Sequence, residues 1–209
     1  DDTINYKRSP TFSAHPLSPI HEVYRTMKKL LYCLLLFIFI APFHQLSAGS
    51  LSGSDGPKQP SAYFLVGGDA ASSKKDKVSI VQKDKKFSPD IISLTVGGVV
   101  EFPNKDNLVH NVYSAKGALG FFDLGSANTT LPDESNLAKK TMDKPGVIKI
   151  NCAVHPVMQA SIFVIPQSKY HTVSRNGSYT FNNVPAGTYD LMVMDEAGKI
   201  SKLKSVTVK

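Results

Sequence analysis

Between Lys77 and Ile165 apolar residues recur at every second position in short runs, and Gly, Pro and Asn interrupt those runs at intervals of about ten residues. Alternation of this kind suits a pleated strand with one buried face, and it leaves no apolar stripe at the spacing of a helix. The runs are 78–82, 87–89, 91–96, 99–102, 109–114, 139–142, 147–151 and 160–165, with turns at Gly97-Gly98, at 104–107 and at Pro145-Gly146. About seven or eight short strands predict an all-β antiparallel sandwich with Greek-key connections and no helix. Residues 115–134 read as a long excursion punctuated by Gly, Asn and Pro.

Where the strand 147–151 ends, the chain reads Asn151-Cys152-Ala153-Val154-His155-Pro156-Val157-Met158. Taken singly, Cys152 is a small buried apolar residue, His155 a loop histidine and Met158 core filler. Taken together, at the spacing Cys-x-x-His-x-x-Met, they offer a thiolate, an imidazole and a thioether from one short turn. A trigonal site of two imidazoles and a thiolate, with a weak axial Met, needs one more imidazole. His110, in Asn107-Leu108-Val109-His110-Asn111-Val112, supplies it. The expected cofactor is one copper ion, with His110, Cys152 and His155 equatorial and Met158 axial. Such a donor set serves both copper oxidation states and leaves no position open for substrate, so the chemistry is one-electron transfer without an enzyme's turnover.

The amino terminus bears on the thiol. Residues 1–26 lack a starting Met and any periodicity, and read as an untranslated or non-native leader. Residues 27–48 read as a secretory signal: Met27-Lys28-Lys29, an apolar run from Leu30 to Phe43, and small residues at Ser47-Ala48-Gly49. The apolar run is shorter than the roughly 20 residues of a spanning helix, so cleavage near Ala48 is expected to leave an exported, periplasmic protein with no membrane span. Cys33 departs with the signal, and Cys152 remains as a lone thiol, which is unusual in an exported chain unless it is used. From Gly49 onward 19 Lys and Arg stand against 14 Asp and Glu. The lysines are scattered among acids without aromatic interleaving, which argues against nucleic acid and for a solvated surface with a preference for acidic partners.

Residues 49–76, rich in Ser, Gly and Pro at one end and Gly, Ser and Lys at the other, read as a flexible linker, with a short strand possible at 62–66. Residues 77–166 form the main sandwich. Residues 167–209 alternate again and form a small β module of four strands, too short to stand alone and so packed on the first unit. His171 lies there with no second ligand nearby in sequence and reads as structural or surface.

The stretch 78–165 resembles the cupredoxins of the amicyanin and plastocyanin type. The resemblance is carried by Phe87-Ser88-Pro89, Phe102-Pro103-Asn104, His110-Asn111-Val112, Phe122-Asp123-Leu124-Gly125, Lys144-Pro145-Gly146 and Cys152-x-x-His155-x-x-Met158, the last with amicyanin's spacing. It implies a Greek-key cupredoxin sandwich, a blue copper electron carrier and a redox protein partner such as a cytochrome, a dehydrogenase or an oxidase. It implies further that the backbone N–H of Asn111 faces the thiolate, and that His155 reaches the surface through an apolar patch at Pro156 and Val157, with Leu119, Phe121 and Phe122 as neighbours. The family's Pro two residues after the ligand Cys is replaced by Val154, which keeps a backbone donor and so adds a second candidate N–H toward the sulfur. The family's Pro before the first His is here Val109. Phe181 to Met194 resembles a prealbumin-like, carboxypeptidase-regulatory module, with no zinc or nucleophile constellation beside it. Two other uses of the same atoms remain: copper delivery, and a binding module in which the metal is secondary.

Overall fold

The computed structural model describes residues 48–71, 75–127 and 137–209; the leader expected at 1–26 and the signal expected at 27–48 lie outside them, save for Ala48, the first residue of a strand. Sixteen strands and no helix occur among the described residues. The larger unit has a five-stranded sheet and a three-stranded sheet. The first runs, edge to edge, β6 (Ile91–Thr95), β12 (Gln159–Ile165), β11 (Gly146–Asn151), β8 (His110–Ser114) and β9 (Phe122–Ala127). The second is β10 (Ala138–Thr141), β7 (Val99–Phe102) and β3 (Lys77–Ser79), and a hairpin of β4 (Val81–Lys83) and β5 (Lys86–Ser88) stands beside them. The all-β sandwich is as expected. It is not wholly antiparallel: β12 pairs with β6, and β3 with β7, in parallel, because connections that cross between sheets bring distant strands together running the same way.

The alternation accounts for the packing. On β11, Ile148 and Ile150 enter the sandwich core, and on β12 so do Ala160, Ile162 and Val164. They meet Leu94, Val100, Phe102 and Val112 from the other strands. The β6–β7 turn uses Gly97 at φ +86°, a backbone conformation that costs glycine little.

The smaller unit differs most from expectation. Its sheet is β13 (His171–Ser174), β2 (Ser61–Val66), β15 (Gly187–Met194) and β16 (Ile200–Val208), and β14 (Tyr179–Pro185) pairs with β1 (Ala48–Gly53). The stretch 49–76, expected as a linker, thus supplies two strands, and the module is not confined to 167–209. Four strands from about forty residues bury too little surface by themselves; β2 completes the sheet, β1 covers β14, and together they close a core of Tyr63, Leu65, Tyr179, Phe181, Tyr189 and Leu191. β9 is likewise a strand inside the excursion at 115–134.

A third cluster joins the units: Ala62, Phe64, Val147, Phe163, Ile165 and Met194. β2 therefore turns Tyr63 and Leu65 to its own core and Ala62 and Phe64 to the junction, which explains a strand that reads as an unbroken apolar run. β12 does the same with Val164 and Phe163.

Candidate metal centre

His110 is the first residue of β8, and the turn before it is built from hydrogen bonds that polar side chains make to backbone. Asn104 Oδ1 accepts from Asp106 N at 2.9 Å, and Asn104 Nδ2 donates to Leu108 O at 2.8 Å. Gln82, fully buried, braces the same turn, donating from Nε2 to Phe102 O at 2.9 Å while its backbone oxygen accepts from Lys105 N at 2.8 Å. Gln82 Oε1 has no partner among the described residues.

Cys152 follows β11 directly. The loop after it is closed by Met158 N donating to His155 O at 2.9 Å, and it is anchored by Ala153 N donating to Asn111 Oδ1 at 2.6 Å. Asn111 is itself held by Asp123, whose Oδ1 accepts from Asn111 Nδ2 at 3.1 Å and from Gly125 N at 2.8 Å. The resemblance assigned Asn111 a role through its backbone; its side chain ties the strand carrying one ligand to the loop carrying the others. Val154, the other backbone donor expected at the sulfur, is 53% exposed.

These elements bring three of the four expected donors together. The ligand atoms of His110, Cys152 and His155 all lie within 4.8 Å of one another, with His110 and Cys152 buried and His155 half-buried. Met158, buried three residues further along the loop, packs in the sandwich core. His110 Nδ1 and His155 Nδ1 are 3.0 Å apart. With metal–nitrogen bonds of about 2.0 Å, that spacing corresponds to an angle of roughly 95° at a shared ion. The donor set therefore fits copper: two imidazole nitrogens converge on one point, with a buried thiol beside them and a thioether on the same loop.

The sequence did not single out Asp106. Its Oδ2 lies 2.7 Å from His110 Nε2, which places that ring's proton on Nε2 and leaves the Nδ1 lone pair facing His155. The carboxylate also accepts from the amides of Asp84, at 2.7 Å, and Lys85, at 3.0 Å. Those two residues form the β4–β5 turn with φ of +53° and +55°, the hairpin geometry usually given to Asn and Gly. The Lys85 amide foremost, with the His110 ring and the Asp84 amide, holds the Asp106 carboxyl down to about 2 against the upward push of burial. A carboxylate four residues before a histidine, in a turn, is common enough in sequence to carry no signal; the hairpin that meets it comes from more than twenty residues earlier.

Around the centre, Leu108, Val109, Val154 and Val157 are exposed, Val157 by 82%, and Pro156 is exposed between the loop residues. Leu119, Phe121 and Phe122 were expected as neighbours of the loop, and Leu119 and Phe122 belong to the sandwich core that also holds Cys152 and Met158. In the β8–β9 ladder Phe122 pairs with Ser114, four residues along from His110 and so on the order of 13 Å away at about 3.3 Å per residue.

His171 also has partners. Its Nδ1 is 2.9 Å from Ser93 Oγ and its Nε2 is 3.4 Å from Asp76 Oδ2. These are the residue types of a nucleophilic relay, but the carboxylate oxygen is committed to Thr95, at 2.6 Å from its N and 2.8 Å from its Oγ1. The cluster is a polar joint between the two units.

No protein-family model matches the chain, and no curated protein matches it. Among solved structures it is similar to a Cu(I) form of an amicyanin variant, at 18% identity over 56% of this chain and 99% of that one, with a TM-score of 0.38. A purple cupredoxin from Nitrosopumilus maritimus is 21% identical over 42% of this chain and 99% of its own, with a TM-score of 0.36. A copper-containing nitrite reductase from Thermus scotoductus is 23% identical over 48% of this chain and 25% of its own, with a TM-score of 0.38.

Proposed function

We propose that this chain is an exported type 1 copper protein that carries single electrons between redox partners. The observation that carries the reading is the convergence of His110 Nδ1 and His155 Nδ1 at 3.0 Å, with Cys152 within the same 4.8 Å cluster. Bound there, copper would supply a one-electron couple. The chain's own residues do the rest. Asp106 fixes the His110 tautomer, and Asn111 ties the Cys152 loop to β8. The buried positions of Cys152 and Met158 exclude water from the thiolate side, and a site with little room to rearrange suits rapid electron exchange. With Met158 of the same loop as fourth donor, a bound copper would have no position open for a substrate, which argues for a carrier over an enzyme.

His155, half-buried behind Pro156 and Val157, is the expected exit for the electron. An exposed apolar tip of this size suits a transient encounter with a cytochrome, dehydrogenase or oxidase, since such contacts bury little area and part quickly. We read the smaller unit, completed by β1 and β2, as a prealbumin-like β module that braces the sandwich through Ala62, Phe64 and Met194 against Val147, Phe163 and Ile165.

A visible absorption spectrum of the copper-loaded protein tests the function. An intense blue thiolate-to-copper band with a reversible couple is expected. Ready release of copper to an acceptor with no reversible couple would point to delivery instead. A partner retained after Cys152→Ser would point to a binding module.

A further inference from the structure

The turn between β13 and β14 reads Ser174-Arg175-Asn176-Gly177-Ser178, and Asn176 is exposed in it. Three donors crowd its side-chain oxygen: Ser178 Oγ lies 2.6 Å from Oδ1, Ser174 Oγ 2.7 Å and Ser178 N 3.1 Å. A carboxamide oxygen has two lone pairs, so three donors exceed what the neutral group uses and suit an oxygen that gains negative charge. The next residue can put charge there. Gly177 has no side chain to shield its nitrogen, and that nitrogen donates to no group among the described residues.

Gly177 is also held firmly in place. It is buried at φ +85°, its oxygen accepts from Gly56 N at 3.0 Å, and a Cβ on it would collide with Gly56 O. Gly56 follows Asp55, so a second residue pair of the same kind meets the first in space and serves as its comparison. There the carboxylate is held by Lys204 Nζ and Tyr179 Oη, both at 2.8 Å, and Gly56 N is committed to Gly177 O. An ionised carboxylate resists a nucleophile, and an engaged amide is a poor one. Neither restraint acts at Asn176.

We propose that Asn176 is a site of self-modification, at which the Gly177 nitrogen displaces the side-chain amide and water then leaves aspartate or isoaspartate at position 176. Gly177 N attacks Asn176 Cγ. The charge that develops on Oδ1 is received by the two serine hydroxyls and the Ser178 amide. The N–Cγ bond forms and the Cγ–Nδ2 bond breaks, and the Gly177 amide proton passes through water to Nδ2, which departs as ammonia. Water opens the cyclic imide: addition at Cγ gives aspartate, and addition at the backbone carbonyl carbon gives isoaspartate, whose main chain runs through Cβ and Cγ and is one atom longer. The proposal does not rest on the copper reading. A lengthened link cannot keep both of its anchors, Arg175 Nη2 on Asp90 Oδ2 of the sandwich at 2.8 Å and Gly177 against Gly56. Isoaspartate therefore loosens either the joint between the units or the connection from β1 to β2.

The full chain is kept warm at neutral pH for several weeks and cut after lysine. Fragment 170–199, which also contains Asn182 and Asn183, is weighed and probed with an isoaspartyl methyltransferase. The mass gain of exchanging NH2 for OH is expected at Asn176, with isoaspartate there and no change at Asn182, Asn183 or Asp55. No gain, or an equal gain at the other asparagines, overturns the proposal. Ser174→Ala/Ser178→Ala, which removes both hydroxyl donors, should slow the gain several-fold, whereas Ser174→Thr/Ser178→Thr should keep the wild-type rate. In urea, where the turn is lost, all three chains should react alike and more slowly than the folded wild type; a folded wild type slower than its unfolded chain overturns the activating role of the turn even if the alanine variant does not fold. Isoaspartate-containing protein should melt below fresh protein, while Asn176→Asp, with the same charge on an ordinary backbone, should melt close to it. Equal melting of aged and fresh protein overturns the loosening.

Discussion

Asp106 stands between His110 and a strained turn: its Oδ2 is 2.7 Å from His110 Nε2, and its two oxygens accept the amides of Asp84 and Lys85. Left-handed backbone at two residues with side chains costs on the order of 1–2 kcal/mol each, and two amide bonds to an ionised carboxylate offset it. Asp106→Asn keeps the shape but turns an NH2 group toward one of those donors and removes the charge from the ring. Copper affinity should fall by about 10- to 100-fold, as measured by competition with a chelator. Unchanged affinity and unchanged thermal stability would show that Asp106 only fills the turn.

Val154 sits where the amicyanin and plastocyanin type carries Pro. If its N–H and that of Asn111 both face the Cys152 sulfur, they withdraw electron density from the thiolate and favour the reduced state. Val154→Pro removes one donor, and the side chain it replaces is 53% exposed, so the core is not disturbed. Voltammetry should find a lower potential with the blue band kept. A potential that stays level or rises would count against the second hydrogen bond.

The His171 joint makes stability depend on pH. Burial pushes the His171 ring below its ordinary 6.5, and the nearby Asp76 opposes that only in part. The folded protein then binds fewer protons here than the unfolded chain, so stability rises with pH through this window. The contribution is present above about pH 6.5 and is lost as pH falls through the lower folded value. Melting temperatures of the wild type should fall between pH 7.5 and pH 5 by more than those of His171→Gln, which keeps a partner for Ser93 without titrating. Parallel curves would show that the joint is indifferent to the proton.

Phe64 distinguishes a linker from a structural strand. It is 1% exposed and packs with Phe163, Val147 and Met194 at the junction. Phe64→Ala should cost about 3–5 kcal/mol of unfolding free energy in urea. A loss below about 1 kcal/mol would mean that the segment adds little to either unit.

The sequence by itself determined the strands and the donors. Period-two alternation is local, so most strands from 78 to 208 were legible, and three donors on one seven-residue loop declare their chemistry without any knowledge of the fold. Tertiary structure decided whatever depends on residues far apart in the chain. The Gly- and Ser-rich composition of β1 and the brevity of β2 gave no sign that β1 pairs with β14 or that β2 stands between β13 and β15, because pairing partners more than a hundred residues away leave no periodic mark. Phe122 looked like part of the docking edge, and only the β8–β9 register sets it opposite Ser114, at the end of β8 away from His110. Asp106 was legible as a turn residue; that it orients a ligand follows from a hairpin, a turn and an imidazole meeting in space, which composition and spacing do not encode.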